Sequence, residues 1–294
     1  MMPTPFLMVL TAASFGASPL LIALAVQHLA PATLAGLRAG LGLPFLLFVA
    51  ILAGQIGRPG RQAVVTAAVG GLLIVALPFA MMAVGMQHIP SGLGGMLYAT
   101  MPLFTLILAA AFLRDEPATL AQALRIAAGM VGVGLIAGPQ LLADGLTAAG
   151  LGTAVTLLAP LSYAAGNVWF RNRPPVAPLA LTAGMFAAGA LAMLPLALWI
   201  DGVPQSAPGR EVWGILAALV VVATVLPAVL NYILVRQAGA TTGALVMFLK
   251  PGFAVVFGMV FAGERLPPLA FAGLALVIAA ALRRSGAARR RAAP

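Results

Sequence analysis

Apolar runs follow one another along the whole chain, separated by short polar breaks. Each run is long enough to cross a hydrocarbon core of about 30 Å as a helix, since a helix rises about 1.5 Å per residue. The pattern predicts ten membrane helices, joined by loops too short to hold a soluble domain. Their predicted bounds are 4–26, 32–53, 63–86, 91–112, 118–138, 148–169, 177–199, 211–235, 241–262 and 267–284.

Composition supports the same class. Charged residues make up 7% of the chain and apolar residues 62%, whereas soluble domains carry about 25% charged residues. This balance excludes an ordinary soluble protein and predicts an all-α polytopic protein whose main partner is the lipid bilayer. A β-barrel needs short alternating segments, which the sequence lacks. We interpret the net charge of +10 as the excess of Lys and Arg that orients the helices in the membrane, and we expect no nucleic-acid partner.

The arginines orient the helices, because positively charged loops stay on the cytosolic side. With the amino terminus in the cytosol, the outer loops hold only Arg210 and Arg265. Both termini are therefore predicted to be cytosolic. The inner loops and the tail then hold Arg58, Arg61, Arg114, Arg171, Arg173, Arg236, Arg283, Arg284, Arg289, Arg290 and Arg291.

The second half of the chain repeats the first. A shift of 149 residues superposes the third to fifth predicted helices on the eighth to tenth without a gap. Five helices in each half give the halves opposite orientations, which is the inverted-topology repeat of many transporters. We therefore predict two five-helix repeats, 1–144 and 145–294. The matched pairs are Pro78 with Pro227, Gly94 with Gly243, Pro102 with Pro251, Phe104 with Phe253, Phe112 with Phe261 and Asp115 with Glu264.

Lys250 lies near the middle of the ninth predicted helix, beside Pro251. Nine residues of helix place it roughly 14 Å into the membrane, where a cation is costly unless it faces protein or water. We predict that Lys250 lines a cavity and binds substrate. Alternatively, it bonds carbonyls freed by Pro251 or reaches a neighbouring helix. The repeated prolines Pro78, Pro102, Pro227 and Pro251 are predicted to kink their helices and serve as hinges.

Under the 149-residue shift, the face of the ninth helix that holds Lys250 corresponds to a face of the fourth helix that holds Tyr98 and Met101. Rings, thioethers and a single cation suit a solute that is partly apolar and partly anionic. Ordinary helix packing for Tyr98 and the methionines remains an alternative, as does a hydrogen bond between helices for Asn231. The predicted substrate-binding residues are Lys250, Tyr98, Met101, Met247, Phe15, Tyr163, Asn167, Asn231 and Tyr232.

Two segments carry a family resemblance: FLRDEPATLAQAL in the first half and FAGERLPPLAFAG in the second. They resemble the segment that joins the last two helices of each half in the drug/metabolite transporter superfamily. Ten helices in inverted halves, with a central proline in the fourth and ninth, are similar to its EamA branch. The first copy departs from that pattern, with Asp115 where glutamate is more usual.

The resemblance implies export of small metabolites, often amino acids, across the inner (plasma) membrane of a bacterium. In length and in the general pattern of its sequence, the chain resembles the YddG-type exporters of amino acids, aromatic ones included. Drugs, nucleotide sugars and other metabolites remain alternative solutes, and a channel remains an alternative mechanism.

Catalytic motifs are missing from the sequence. It has no HExxH helix, no Ser/His pair in the membrane and no phosphate-binding loop for ATP. We therefore expect no enzyme activity, cofactor or metal. Glu211 is only the first residue of the eighth predicted helix, at its outer end, and no other Asp or Glu falls within the predicted bounds. Intramembrane carboxylates commonly relay protons. This favours facilitative transport, or coupling without a carboxylate relay.

Two further features have structural interpretations. Arg38 and Arg125 lie several residues inside predicted helices, and we interpret both as snorkelling to the nearer interface. The spacing Gly134-x-x-x-Gly138 allows close helix contact, either at a homodimer interface or within the monomer.

Overall fold

The computed structural model describes residues 2–112, 120–144, 147–171, 173, 176–202 and 208–282. Helices and turns make up these residues, and no strand occurs among them. The predictions for Arg114, for Asp115 and for the basic tail beyond residue 282 lie outside the described residues.

The helical elements follow one another with short connections. Those in the first half are α1 (Thr4–Gly16), α2 (Ser18–Ala25), α3 (Pro31–Leu52), α4 (Arg61–Gly70), a first π-helical segment (Gly71–Ala76), α5 (Leu77–Gly85), α6 (Ser91–Tyr98), α7 (Met101–Phe112) and α8 (Leu120–Asp144). Those in the second half are α9 (Ala148–Arg171), α10 (Pro178–Ile200), α11 (Arg210–Val220), a second π-helical segment (Val221–Val225), α12 (Leu226–Ala238), α13 (Ala240–Ala262) and α14 (Pro268–Leu282).

Eight helical stretches of the described chain are long and apolar enough to cross a membrane. Two shorter apolar stretches, Ala123–Pro139 and Pro268–Ala280, occupy the fifth and tenth predicted positions. The class of all-α polytopic membrane protein is therefore confirmed for the described residues, while ten spans stay a prediction. The predicted end of the fifth helix at residue 138 is wrong, because α8 continues through Pro139 to Asp144. Proline removes only one donor, and a membrane helix tolerates that loss.

Two of the four repeated prolines follow π-helical segments. Pro78 is the second residue after the first segment, and Pro227 is the second residue after the second. Proline has no N–H group, so the carbonyl four residues earlier loses its usual partner and the preceding turn widens. A π-helical segment thus lies just before both prolines, while the kinks and the hinge role of Pro78 and Pro227 stay predictions.

The other two prolines differ from each other. The fourth predicted helix is interrupted at residues 99 and 100, between α6 and α7, and Pro102 is the second residue of α7. In contrast, α13 runs without interruption through Pro251. The described helices therefore contain a break at Pro102 that has no counterpart at Pro251.

Helices from the two halves pack in pairs. The most extensive contacts join α3 to α10 and α8 to α14, and α1 packs on α13 while α9 packs on α6 and α7. Gly36 lies against Leu194 of α10. By contrast, a Cβ at Gly134 or Gly138 would meet no described atom within 4 Å. Those two glycines do not serve close packing inside the described monomer, and their role in a homodimer stays a prediction.

The α3/α10 pair is tied at both ends by side chains that cap helix N termini. Asp201, just after α10, accepts hydrogen bonds of 2.7 Å from the backbone N–H and the hydroxyl of Thr33 in the first turn of α3. At the opposite end, Gln55 follows α3 and accepts a 2.8 Å hydrogen bond from the backbone N–H of Leu179 in α10. The negative charge of a capping carboxylate also interacts favourably with the positive end of the helix dipole.

Candidate functional site

A cavity of about 500 Å³ lies between the helices of the two halves. Its lining residues come from α1, α2, α3, α5, α6, α7, α9, α10, α12 and α13 and from both π-helical segments. Among the described residues that line it, none is an Asp or a Glu, whereas Arg38 and Lys250 are both present. The electrostatics of the cavity are therefore set by two cations and several aromatic rings.

Eight of the nine predicted substrate-binding residues line this cavity, namely Phe15, Tyr98, Met101, Tyr163, Asn167, Asn231, Met247 and Lys250. Pro78 lines it as well. The exception is Tyr232, whose hydroxyl instead accepts a 2.7 Å hydrogen bond from Nε2 of Gln55. Arg236 Nη1 lies 3.4 Å from the same hydroxyl oxygen. Tyr232 thus belongs to the polar contacts near the end of α12, and its prediction as a cavity residue is corrected.

Lys250 is held by aromatic rings. Its Nζ lies 3.9 Å from the ring centroid of Tyr98 and 5.4 Å from that of Phe15. A cation over a ring face gains about 2 kcal/mol when water is excluded. No described carbonyl accepts a hydrogen bond from Nζ, so the alternative in which Lys250 bonds carbonyls freed by Pro251 does not match the structure.

A close helix crossing places Phe15 beside Lys250. A Cβ on Gly16 would lie 3.0 Å from the carbonyl oxygen of Lys250 and 3.2 Å from the backbone nitrogen of Ala254. Only a residue without a side chain lets α1 approach α13 this closely. The crossing explains why the ring of Phe15 reaches the ammonium.

The wall formed by α6, α7 and α9 is aromatic and polar. Tyr98 and Tyr163 meet edge to face, with ring centroids 5.4 Å apart. Asn167 Nδ2 lies 4.0 Å from the sulfur of Met101. In this wall, predicted substrate-binding side chains of the fourth and sixth helices contact one another.

Arg38 corrects the interpretation from sequence. Its side chain is only 7% exposed and does not snorkel to an interface. Nε donates to the hydroxyl of Thr224 at 2.9 Å, and Nη2 donates to the hydroxyl of Ser18 at 3.0 Å. The guanidinium carbon lies 4.0 Å from the ring centroid of Phe79. A buried guanidinium needs such acceptors, because unpaired polar groups are costly in an apolar interior.

The second π-helical segment supplies part of the Arg38 environment. Pro227 cannot donate to the carbonyl of Ala223, four residues earlier, and that carbonyl lies 3.4 Å from Nη2 of Arg38. The hydroxyl of Thr224 bonds back to the carbonyl of Leu219 at 2.8 Å and also accepts from Arg38. Thr224 was missed from the sequence. Its only signal there is a hydroxyl in an apolar run three residues before a repeated proline.

The sequence of this chain is similar to the sequences of membrane transporters. The family model of the EamA-like transporter family matches residues 2–138 and 150–283. The uncharacterized inner membrane transporter YedA of Escherichia coli (strain K12) is 25% identical over 268 residues, which cover 90% of this chain and 84% of that protein. The same values hold for YedA of Escherichia coli O157:H7.

A solved structure also resembles the fold. A crystal structure of a protein aligns with a TM-score of 0.64 at 18% sequence identity, covering 98% of each chain. At that identity the likeness concerns the fold alone. The fold of this chain therefore recurs in another protein.

Proposed function

This chain belongs to the EamA-like transporter family, and we propose that it exports small metabolites, amino acids foremost, across the inner membrane of a bacterium. The inner-membrane part of the proposal is supported by the description of YedA as an inner membrane transporter. The amino-acid part has its support in the chemistry of the cavity. Aromatic and apolar amino acids are the first members of that class to test.

The observation that carries the proposal is the position of Lys250 between the rings of Tyr98 and Phe15. An ammonium attracts a carboxylate, and the surrounding rings and thioethers accommodate an apolar side chain of variable shape. The cavity of about 500 Å³ falls within the range of about 300–1,000 Å³ common for small-molecule sites. An amino acid or a metabolite of similar size fits this volume.

Alternating access is the mechanism that best suits the helix arrangement. Under the proposed repeat, the contact of α1 with α13 corresponds to that of α9 with α6 and α7, and both pairs pack closely. The two π-helical segments occupy equivalent positions, and the matched segments 2–138 and 150–283 agree with the proposed halves. Similar contacts at both ends of the cavity support opening to either side through similar motions. In this proposal the first to fourth and sixth to ninth helices rock around the cavity.

Uptake into liposomes tests the proposal. Purified protein is reconstituted and assayed with a panel of radiolabelled amino acids, sugars and nucleosides. We expect saturable uptake of at least one amino acid, and we expect Lys250→Ala to lower it about tenfold, which corresponds to losing one charge-assisted contact. Arg61→Ala removes an exposed arginine outside the cavity and is the matched control.

Two results contradict the proposal. Uptake confined to sugars or nucleosides removes amino acids as the substrate class. Single-channel conductance in a planar bilayer removes alternating access as the mechanism. Gel filtration of the Lys250→Ala protein separates a transport defect from a folding defect.

A further inference from the structure

Two cations share the cavity without an acidic partner among the described residues that line it. Arg38 reaches the cavity from α3 and Lys250 from α13, one from each half of the chain. Buried charges in proteins are normally paired, because desolvation of an unpaired charge costs several kcal/mol. The cavity therefore carries an excess of positive charge that the described protein does not balance.

Hydrogen bonds hold the guanidinium of Arg38 in place but do not use all of its N–H groups. Its Nε and Nη2 are occupied by Thr224, Ser18 and the Ala223 carbonyl. Nη1 has no hydrogen-bond partner among the described residues, and Arg38 lines the cavity. Stacking on Phe79 fixes the plane of the guanidinium. A planar, anchored guanidinium with free N–H groups is suited to carboxylate or phosphate oxygens.

The ammonium of Lys250 is likewise without a hydrogen-bond acceptor in the described structure. The rings of Tyr98 and Phe15 stabilise its charge but leave its N–H groups unpaired. A single carboxylate would satisfy either Lys250 or Arg38. It would leave the other cation uncompensated, unless both cations bound the same group.

We infer that Arg38 and Lys250 together bind a solute with two negative charges, carried by two carboxylates as in an acidic amino acid or a dicarboxylate, or by one phosphate as in a phosphate monoester. The inference rests on the proposed function, since it takes this cavity as the transport site. It changes the expected substrate class from metabolites with one carboxylate to metabolites with two negative charges on their acidic groups. Among amino acids, it places aspartate and glutamate ahead of the aromatic ones.

Competitive uptake in liposomes tests how many negative charges on its acidic groups the solute needs. The probes are glutamate and succinate, glycerol phosphate, and the single-carboxylate controls phenylalanine and butyrate. We expect the probes with two negative charges on their acidic groups to be taken up at least about tenfold more efficiently than the controls, as for one additional charged contact. Glycerol phosphate separates a requirement for two carboxylates from a requirement for two negative charges.

Variants assign the effect to the two cations. Arg38→Gln keeps a polar side chain beside Ser18 and Thr224 but removes the charge. It is expected to raise the half-saturating concentration of glutamate about tenfold while changing that of phenylalanine little. Lys250→Gln is expected to act in the same direction. Arg61→Gln, exposed and outside the cavity, serves as the control.

A binding measurement on the unaltered protein covers the case in which Arg38→Gln does not fold. Ligands that bind the folded state raise its thermal stability. Glutamate and succinate are therefore expected to raise the Tm in detergent more than phenylalanine and butyrate at equal concentration and ionic strength. Equal shifts for all four compounds overturn the inference.

The outcomes for the two proposals are distinguishable. Efficient uptake of phenylalanine over glutamate, with selectivity unchanged in a folded Arg38→Gln protein, overturns the two-anion inference and leaves the exporter proposal intact. Uptake of succinate and glycerol phosphate without any amino acid supports the inference and overturns amino acids as the substrate class.

Discussion

Glu264 caps the helix that begins at Ser91: its carboxylate accepts a 2.6 Å hydrogen bond from the backbone N–H of Ser91. A second bond of 2.8 Å comes from the backbone N–H of Gly92. The contact joins the loop between α13 and α14 to the start of α6, and so connects the two halves of the chain. A carboxylate at a helix N terminus accepts hydrogen bonds from free N–H groups, and its negative charge interacts favourably with the positive end of the helix dipole. This gives the glutamate of the FAGERLPP segment a physical role.

Removing the charge of Glu264 is expected to loosen that end of the bundle. In Glu264→Gln, one uncharged acceptor replaces a carboxylate that receives two charge-assisted bonds, each stronger than a neutral bond. We expect the cavity to open more often on this side, which the predicted topology places outside the cell. Ile22 lines the cavity and is 2% exposed, so a cysteine introduced there reports opening. The chain contains no other cysteine.

The measurement is the rate at which a membrane-impermeant thiol reagent, added outside, modifies Ile22→Cys. We expect a rate several-fold higher in the Glu264→Gln background. Glu211→Gln is the matched control, because Glu211 is an exposed carboxylate in the first turn of α11. Equal labelling rates in the Glu264 and Glu211 variants would remove the gating role of the cap.

Much of the cavity could be predicted, because depth within an apolar run and spacing along the chain were enough to identify its residues. Lys250 was identified from its position in an apolar run, and Tyr98 and Met101 from the shift of the repeat. The direction of Arg38 was not predictable, since it depends on acceptors from α2 and the second π-helical segment. Position along a helix does not show which neighbour supplies an acceptor.

Tyr232 shows a related limit. It follows the second π-helical segment, Val221–Val225, and a π turn contains more residues than an α turn. The wider turn rotates every later side chain relative to a regular helix. A face drawn at a spacing of about 3.6 residues therefore cannot decide between Asn231 and Tyr232. In the structure, Asn231 lines the cavity and Tyr232 does not.

Transport without coupled proton movement is expected. The described cavity lining contains no carboxylate, and an intramembrane Asp or Glu is the usual proton relay. Liposomes containing a pH-sensitive dye should show substrate uptake without a substrate-dependent change in internal pH. Liposomes without protein and liposomes with Lys250→Ala are the controls. A reproducible pH change that requires both protein and substrate would contradict the expectation.

The ring of Tyr98, rather than its hydroxyl, is expected to support Lys250. Tyr98→Phe keeps the ring face 3.9 Å from the ammonium and should retain most of the uptake. Tyr98→Leu removes a cation–π contact of about 2 kcal/mol and should lower uptake efficiency about tenfold or more. Tyr232→Leu is the matched control, because this tyrosine does not line the cavity. Equal uptake by the Phe and Leu variants at position 98 would argue against the ring contact.

Gly85 lets α5 approach α9, and its replacement is expected to destabilise the fold. A Cβ at this position would overlap the hydroxyl oxygen of Thr156 and lie 3.0 Å from the carbonyl oxygen of Gly152. Overpacking of this kind typically costs about 1–3 kcal/mol. Gly85→Ala should therefore lose its folded fraction at a lower temperature than the unaltered protein, as measured by gel filtration after heating.

The position of Thr156 provides a rescue. Its hydroxyl donates to the carbonyl of Gly152 within α9, so its removal breaks no bond between helices. Gly85→Ala combined with Thr156→Ala should recover part of the lost stability, since the added methyl group takes space vacated by the hydroxyl. Gly134→Ala, where a Cβ meets no described atom within 4 Å, should leave stability nearly unchanged. If the double variant is no more stable than Gly85→Ala alone, the close approach at Thr156 is not what limits position 85.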